Sequence, residues 1–200
     1  VVGTKYEEPA KALSNLEIMN GYPDGEFKPN NTASKAELAL MLTRVVNMED
    51  RAERILYSER EPIYTDVPKE SWAFGYITIV TDFDYMCGVT DDVFGIDNVA
   101  TNYEAIKALL KILEYYQAPN GDDVEYVYNK ALSLKLFKTI GDDIASIDEM
   151  DELLTRGNLL LLIWNAFNTK YIGNATLVYI YYPDAEFAEA PQPIEGFYTT

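Results

Sequence analysis

Three stretches of the chain repeat their apolar residues every three or four positions, the pattern of a helix with one buried face. Each stretch has the spacing i, i+3, i+4, i+7, given by Leu38, Met41, Leu42 and Val45, by Ala105, Ala108, Leu109 and Ile112, and by Leu159, Leu162, Ile163 and Ala166. One shift of the sequence that superimposes the first two stretches also places Gly21 on Gly88 and Phe27 on Phe94. The chain therefore contains an internal repeat, because two unrelated amphipathic helices would not be preceded by loops with matching residues.

The polar residues before each stretch predict where the three helices begin. Ser34 followed by Glu37, and Thr101 followed by Glu104, have the spacing of a capping box. Thr155 caps the third helix in the same way, although an asparagine stands three residues later instead of a glutamate. The first helix is predicted to begin near Lys35.

Further elements complete each unit. Apolar spacing predicts a helix before each loop, at 8–19, 72–86 and 123–137, and the charged run 49–60 is expected to extend the helix that begins near Lys35. The β-branched and aromatic residues of 175–182 predict one strand followed by an irregular tail. The expected fold is mainly α, with three helix-loop-helix units at 1–60, 61–118 and 119–172 and a C-terminal strand and tail at 173–200.

The composition and net charge of the chain argue against several classes of function. The net charge is −17, which argues against binding nucleic acid through a phosphate-neutralising surface. There is no histidine and only one cysteine, no apolar run is long enough to span a bilayer, and the acidic pairs lack the spacing of a calcium loop. We therefore expect no catalytic residues, no cofactor, no metal and no membrane insertion; the oligomeric state stays open.

Two motifs resemble a known family. Gly21-Tyr-Pro-Asp-Gly-Glu-Phe-Lys-Pro-Asn30 leads into Ser34-Lys-Ala-Glu37, and Tyr64-Thr-Asp-Val-Pro-Lys-Glu-Ser-Trp72-Ala opens the second unit. Both resemble the signatures of the S-layer homology (SLH) domains of bacterial cell-surface proteins. Thr155-Arg156-Gly157 is similar to the divergent third repeats of that family, so the resemblance covers about residues 1–171.

The resemblance implies a pseudo-threefold bundle and a function. SLH repeats typically hold an exported protein non-covalently on the bacterial cell wall. Their usual ligand is an acidic secondary cell-wall polysaccharide carrying pyruvate ketals, which binds in grooves between adjacent repeats. The resemblance therefore implies an extracellular location at the cell wall and a polysaccharide partner.

The resemblance also suggests ligand-binding residues, namely Lys35 and Arg156 at the basic signature position, Trp72 at the repeat opening, and Asp24 and Gly25 in the turn. A ketal carboxylate near a helix start would meet free N–H groups and a cation, and arginine can hold a carboxylate with two bonds where lysine has one. A tryptophan can stack on the apolar face of a sugar, although Trp72 could equally be a core anchor.

Departures from the family pattern keep a second hypothesis open. Asn102 occupies the basic position of the second unit, and Trp164, late in the third central helix, is expected in the core. The second groove is therefore expected to be weak. The alternative function is a degenerate scaffold that keeps the fold and acts in structure or protein interaction without binding glycan.

Overall fold

A computed structural model describes residues 1–117, 123–170 and 175–185. The structure is mainly helical, which confirms the predicted fold class. Its helices are α1 (Glu7–Asn15), α2 (Lys35–Val45), α3 (Glu49–Leu56), α4 (Phe74–Asp82), α5 (Asn102–Ile112), α6 (Val124–Ser133), α7 (Arg156–Phe167) and α8 (Leu177–Tyr181), with 3₁₀ turns at Gly141–Ile144 and Ile147–Asp151.

The three central helices, α2, α5 and α7, begin at the predicted residues. The Ser34 hydroxyl accepts the Glu37 N–H at 3.1 Å, while the Glu37 carboxylate accepts the Ser34 N–H at 2.7 Å. Thr101 and Glu104 repeat both bonds at the start of α5. Thr155 accepts the N–H of the third residue of α7, without the reciprocal bond. Local sequence therefore determines where the bundle helices start.

The segments just before the central helices are joined to one another in a closed ring. Single antiparallel bridges link Thr32 to Thr155, Ser34 to Val99, and Thr101 to Leu153. Backbone bonds of 2.8–3.0 Å connect the same segments, among them Ala33 N–H to Leu154 O, Ala100 N–H to Ala33 O, and Leu154 N–H to Ala100 O. Each segment thus pairs with both others. The ring holds the three helix starts together, as a pseudo-threefold bundle requires.

The core is formed by the inner faces of the central helices, by apolar residues of α1, α4, α6 and α8, and by one aromatic residue from each of the first two loops. Phe27 and Phe94 are 9% and 0% exposed. Every residue of α7 is buried except Trp164, which is half-buried. The expectation that Trp164 lies in the core is therefore wrong. The division into units at 1–60, 61–118, 119–172 and 173–200 stays a proposal.

The helices before the loops, α1, α4 and α6, occur where they were predicted but end earlier. In each case the chain turns through a residue with positive φ shortly after the helix, Glu17 (57°), Asp84 (56°) and Lys135 (61°). None of these three is a glycine, so the sequence carried no conventional stop signal. The loops consequently start a few residues sooner than the apolar pattern indicates.

The run 49–60 does not extend α2. That helix ends at Val45, Asn47 adopts a φ of 52°, and a separate helix α3 begins at Glu49. Asparagine tolerates this left-handed conformation better than most residues, which permits the break. Arg44 then pairs with Glu49 at 2.6 Å across the turn.

The strand expected at 175–182 is also wrong, because Leu177–Tyr181 is a helix. Thr176 caps it by accepting the Tyr179 N–H, and Leu177 and Val178 are fully buried. Tertiary burial and a good cap outweigh the β propensity of the sequence here. The tail predicted beyond residue 185 lies outside the described residues.

Candidate functional site

Lys35, the first residue of α2, bridges the first and second units. It is 3% exposed, and its Nζ donates to Glu104 Oε1 at 2.6 Å and to the Cys87 carbonyl at 3.4 Å. The same ammonium group lies 5.1 Å from the centre of the Phe94 ring. Its charge is therefore matched by a carboxylate of the neighbouring unit.

Arg156, the first residue of α7, lies beneath the loop of the first unit. It is 6% exposed, and its guanidinium donates to the Asn20 carbonyl at 2.9 Å and to the Phe27 carbonyl at 3.2 Å. Its Cζ lies 4.6 Å from the Tyr22 ring centre and 5.3 Å from that of Phe27. No carboxylate of the described residues pairs with it, in contrast to Lys35.

Asn102 occupies the equivalent first position of α5. It is 1% exposed, and its Nδ2 donates to the Glu149 carbonyl at 2.9 Å, while its Oδ1 has no hydrogen-bond partner among the described residues. The first residue of each central helix therefore contacts a backbone carbonyl in the loop of another unit. The contacts run from unit one to two, from two to three, and from three back to one.

A cavity of about 140 Å³ lies between the start of α2 and the outer face of α5. We call it the Lys35 groove, and its lining residues include Lys35, Tyr85, Tyr103, Lys107 and Lys111. Glu104 is the only acidic residue in the lining. Burial raises the pKa of Tyr85 to about 12, so its phenol stays neutral. The groove therefore offers three cations, two phenol rings and one carboxylate.

Sequence reasoning missed most of this groove. Tyr103, Lys107 and Lys111 were not identified, although their spacing of four residues places them on one face of α5. Lys107 lies 5.6 Å from the Tyr103 ring centre, and Lys111 pairs with Asp84 at 3.0 Å. This polar stripe opposite the apolar face was the signal that could have revealed them.

Trp72 lies apart from Lys35 and Arg156. It is 53% exposed, its ring centre is 6.2 Å from that of Tyr76, and both line an open cavity of about 370 Å³. Arg44 and Tyr57 also line this cavity, whereas Lys35 and Arg156 do not. Exposure favours a surface role over the core-anchor interpretation.

Asp24 and Gly25 form the exposed turn of the first loop. Gly25 has a φ of 81°, as a turn of this kind requires. Asp24 pairs with Lys28, and the hydrogen bond from Lys28 lowers the pKa of the Asp24 carboxyl. Lys28 in turn lies 4.9 Å from the centre of the Tyr22 ring that Arg156 also contacts. The turn and Arg156 therefore belong to one loop structure, separate from the Lys35 groove.

Asp66 is another residue that sequence reasoning left without a role. Its carboxylate accepts the N–H groups of Phe94, Gly95 and Ile96 at 2.8, 2.7 and 3.0 Å. Partial burial acts to raise the pKa of Asp66, but these three donors outweigh it and leave the pKa below its ordinary value. Asp66 thus fixes the second loop, which carries Gly88 and Val89 into the Lys35 groove.

Two further findings on the described residues concern metal binding and membrane-spanning helices. No group of three or more histidine, cysteine, aspartate or glutamate side chains is arranged there to hold a metal ion. Over the same residues, no helix has the length and hydropathy needed to cross a bilayer.

Comparison with known proteins finds a family profile within the first two units and relatives that cover more of the chain. The profile of the S-layer homology domain matches residues 2–39 and 63–102. The chain is 26% identical to the Middle cell wall protein of Brevibacillus brevis over 80% of its own length, and 26% identical to the Surface layer protein of Brevibacillus choshinensis over 68%. It is 27% identical to the Cellulosome-anchoring protein of Acetivibrio thermocellus over 48%. The aligned parts are 14%, 12% and 21% of those relatives, so this chain corresponds to a small segment of each.

Proposed function

We propose that this chain, which carries S-layer homology domains at 2–39 and 63–102, holds a bacterial surface protein on the cell wall by binding an acidic wall polysaccharide. The relatives support a location at the cell surface, since they are a cell wall protein, a surface layer protein and an anchoring protein. The proposed attachment is non-covalent and involves no enzymatic step. The finer part of the proposal is that the polysaccharide carries pyruvate ketals.

The Lys35 groove is the observation that carries this proposal. Three lysines line a small cavity in a chain whose net charge is −17. Because long-range repulsion disfavours an anionic polymer, binding needs such a local group of cations. Glu104 pairs with Lys35, and the exposed Asp84 pairs with Lys111, so a ketal carboxylate would contact Lys107 and would displace Asp84 from Lys111.

The aromatic rings of the groove suit a sugar. Tyr85 and Tyr103 offer apolar ring surface for the C–H side of a pyranose. The cavity of about 140 Å³ is smaller than the roughly 300–1,000 Å³ of typical ligand sites, so it would admit the ketal, with the rest of the polymer outside. This arrangement fits a repetitive polymer that is bound by one unit at a time.

The other predicted site residues form further parts of the proposed surface. Arg156 is a buried cation without a carboxylate partner among the described residues, so it could receive an acidic group if the first loop, with Asp24 and Gly25, opened. Trp72 could stack on a neighbouring sugar at its own open cavity. Lys35, Arg156, Trp72, Asp24 and Gly25 thus remain proposed ligand contacts.

Isothermal titration calorimetry with a pyruvylated wall saccharide tests the proposal. The Lys107→Gln and Lys111→Gln variants should each bind at least about tenfold more weakly, because each removes a charged hydrogen bond. Lys69→Gln makes the same charge change outside the groove and should bind as the unaltered protein does. The same saccharide without its ketals should bind poorly.

A second candidate function is the scaffold without glycan binding. It is favoured by the contacts of Lys35, Asn102 and Arg156, each of which donates to a backbone carbonyl of another unit. These residues could have a purely structural role. Absence of heat on titrating the intact, folded protein with the pyruvylated saccharide would establish this candidate over the first.

A further inference from the structure

A second basic cavity lies away from the Lys35 groove, where α6 and α7 end. Its volume is about 520 Å³, within the range of roughly 300–1,000 Å³ typical of ligand sites. Lys135, Lys138, Trp164, Asn168 and Lys170 line it. We call this cavity the lysine cleft. It contains none of the ligand contacts that were predicted from the sequence.

The charge of the lysine cleft is opposite to that of the chain. Acidic residues outnumber basic ones by 33 to 16 in the whole sequence, yet no aspartate or glutamate of the described residues lines this cavity. Lys135 and Lys138 are exposed, and neither ammonium group has a hydrogen-bond or ion-pair partner within the described part of the chain. Because Lys135 and Lys138 line one cavity and carry the same charge, an anion that reached them would be attracted by both.

The walls of the cleft suit a sugar. Trp164 is the one residue of α7 that is not buried, and it gives the cleft an aromatic wall. Thr139 and Asn165 stand beside it, and Asn165 Nδ2 donates to the Leu136 carbonyl at 2.7 Å and to Thr139 Oγ1 at 3.3 Å. These bonds tie α7 to the chain that carries Lys135 and Lys138. The lining is therefore held in place rather than assembled by the ligand.

We propose that the lysine cleft binds a second, carboxylate-bearing saccharide unit of the acidic polysaccharide. The inference rests on the proposed function for the identity of the polymer, but uses a different set of residues. Lys135 and Lys138 contact the carboxylate, and Trp164 stacks on the sugar ring. Two sites on one chain would each hold the same repetitive polymer, which raises the overall affinity without any new type of contact.

Tryptophan fluorescence reports on this site, because the chain has only two tryptophans, and lysine variants distinguish the cleft from another cavity that Trp164 also lines. In a Trp72→Phe background, Trp164 is the single reporter, and all comparisons are made within that background. Titration with the pyruvylated wall saccharide should change Trp164 emission in a saturable manner. Adding Lys135→Gln and Lys138→Gln should weaken this response about tenfold or more. Both lysines are exposed, so the variants should fold, which far-ultraviolet circular dichroism verifies.

Lys69→Gln in the same background is the matched control and should leave the response unchanged. An unchanged Trp164 emission, with calorimetric binding that Lys107→Gln abolishes, would overturn the lysine cleft and leave the proposed function intact. An equal response to the saccharide without ketals would overturn the role of the lysines. A response to a glutamate-rich peptide but not to the saccharide would overturn the glycan assignment.

Discussion

At the residue scale, the first positions of the central helices show how one side chain can join distant units. Lys35, Asn102 and Arg156 each follow a capping residue, and at this position the two cations, Lys35 and Arg156, oppose the helix dipole. Each is nevertheless buried, since it finds carbonyl oxygens in the loop of another unit. The cost of placing charge there is offset by long-range hydrogen bonds, which makes these residues sensitive to truncation.

Arg156→Ala should lower the free energy of unfolding by about 2–4 kcal/mol, because two bonds from a charged group are lost and the Asn20 and Phe27 carbonyls are left unpaired. Urea denaturation followed by circular dichroism measures the change. Arg54→Ala, at an exposed position of α3, should stay within about 0.5 kcal/mol of the unaltered protein. Equal stabilities of the two variants would contradict the structural role of Arg156.

Glu104→Gln should strengthen binding of an acidic saccharide by about threefold or more. It removes the carboxylate that competes for Lys35, while glutamine can still complete the capping box with Thr101. Glu37→Gln makes the same change in the equivalent cap of α2, outside the lining of the Lys35 groove, and should leave the affinity unaltered. Calorimetry on both variants separates a local effect on the groove from the effect of the change in net charge. Weaker binding by Glu104→Gln, with unaltered binding by Glu37→Gln, would contradict the proposed use of the groove.

At the scale of elements, the sequence predicts what is local and misses what is not. The caps at Ser34, Thr101 and Thr155 depend on residues three positions apart, so the starts of α2, α5 and α7 were predictable. The break at Asn47 and the helix of α8 depend on packing, and both were missed.

The candidate site was likewise predictable only where it depends on neighbouring residues in the sequence. The Lys35 position was predictable from its motif, but its partner Glu104 lies 69 residues away along the chain. The lysine cleft was not predictable, because it joins the ends of two helices whose relative position is set only by the fold.

Asp66→Asn should loosen the second loop, because an amide oxygen cannot replace a carboxylate that accepts three N–H groups. The pKa of Asp66 is lower in the folded state than its ordinary value of 3.8, so its contribution to stability is present above that value and is lost as pH falls through the folded pKa. The unaltered protein should therefore be more stable than the variant at pH 7, and the difference should shrink below about pH 4.

Thermal unfolding of both proteins between pH 7 and pH 2.5 measures this dependence. Asp91→Asn, at an exposed position of the same loop, is the matched control and should show little change at either end of the range. A stability difference for Asp66→Asn that did not vary with pH would show that the carboxylate charge is not what fixes the loop.

At the scale of the whole molecule, the ring before the central helices makes the three units interdependent. Ala33 bonds to both Leu154 and Ala100, so no unit has a complete set of backbone partners without the others. The family profile matches only within the first two units, yet the third supplies α7, the most completely buried helix. We therefore expect that the units, although they are repeats in sequence, do not fold separately.

A fragment of residues 1–117 should therefore fail to fold. It lacks the partners of Ala33 and Asn102 in the third unit and exposes the face of α5 that packs on α6 and α7. Circular dichroism should show reduced helix content, and a hydrophobic dye should bind the fragment but not the full chain. A cooperative thermal transition of the fragment would contradict this prediction.

The closed ring also has a mechanical consequence. In a linear array of repeats, tension detaches one unit after another, and each step meets only the resistance of one interface. Here the third unit is bonded to the first, through Arg156 to Asn20 and Leu154 to Ala33. We therefore expect a pulling force on either outer unit to be shared by all three junctions, so that the bundle opens as a whole rather than one unit after another.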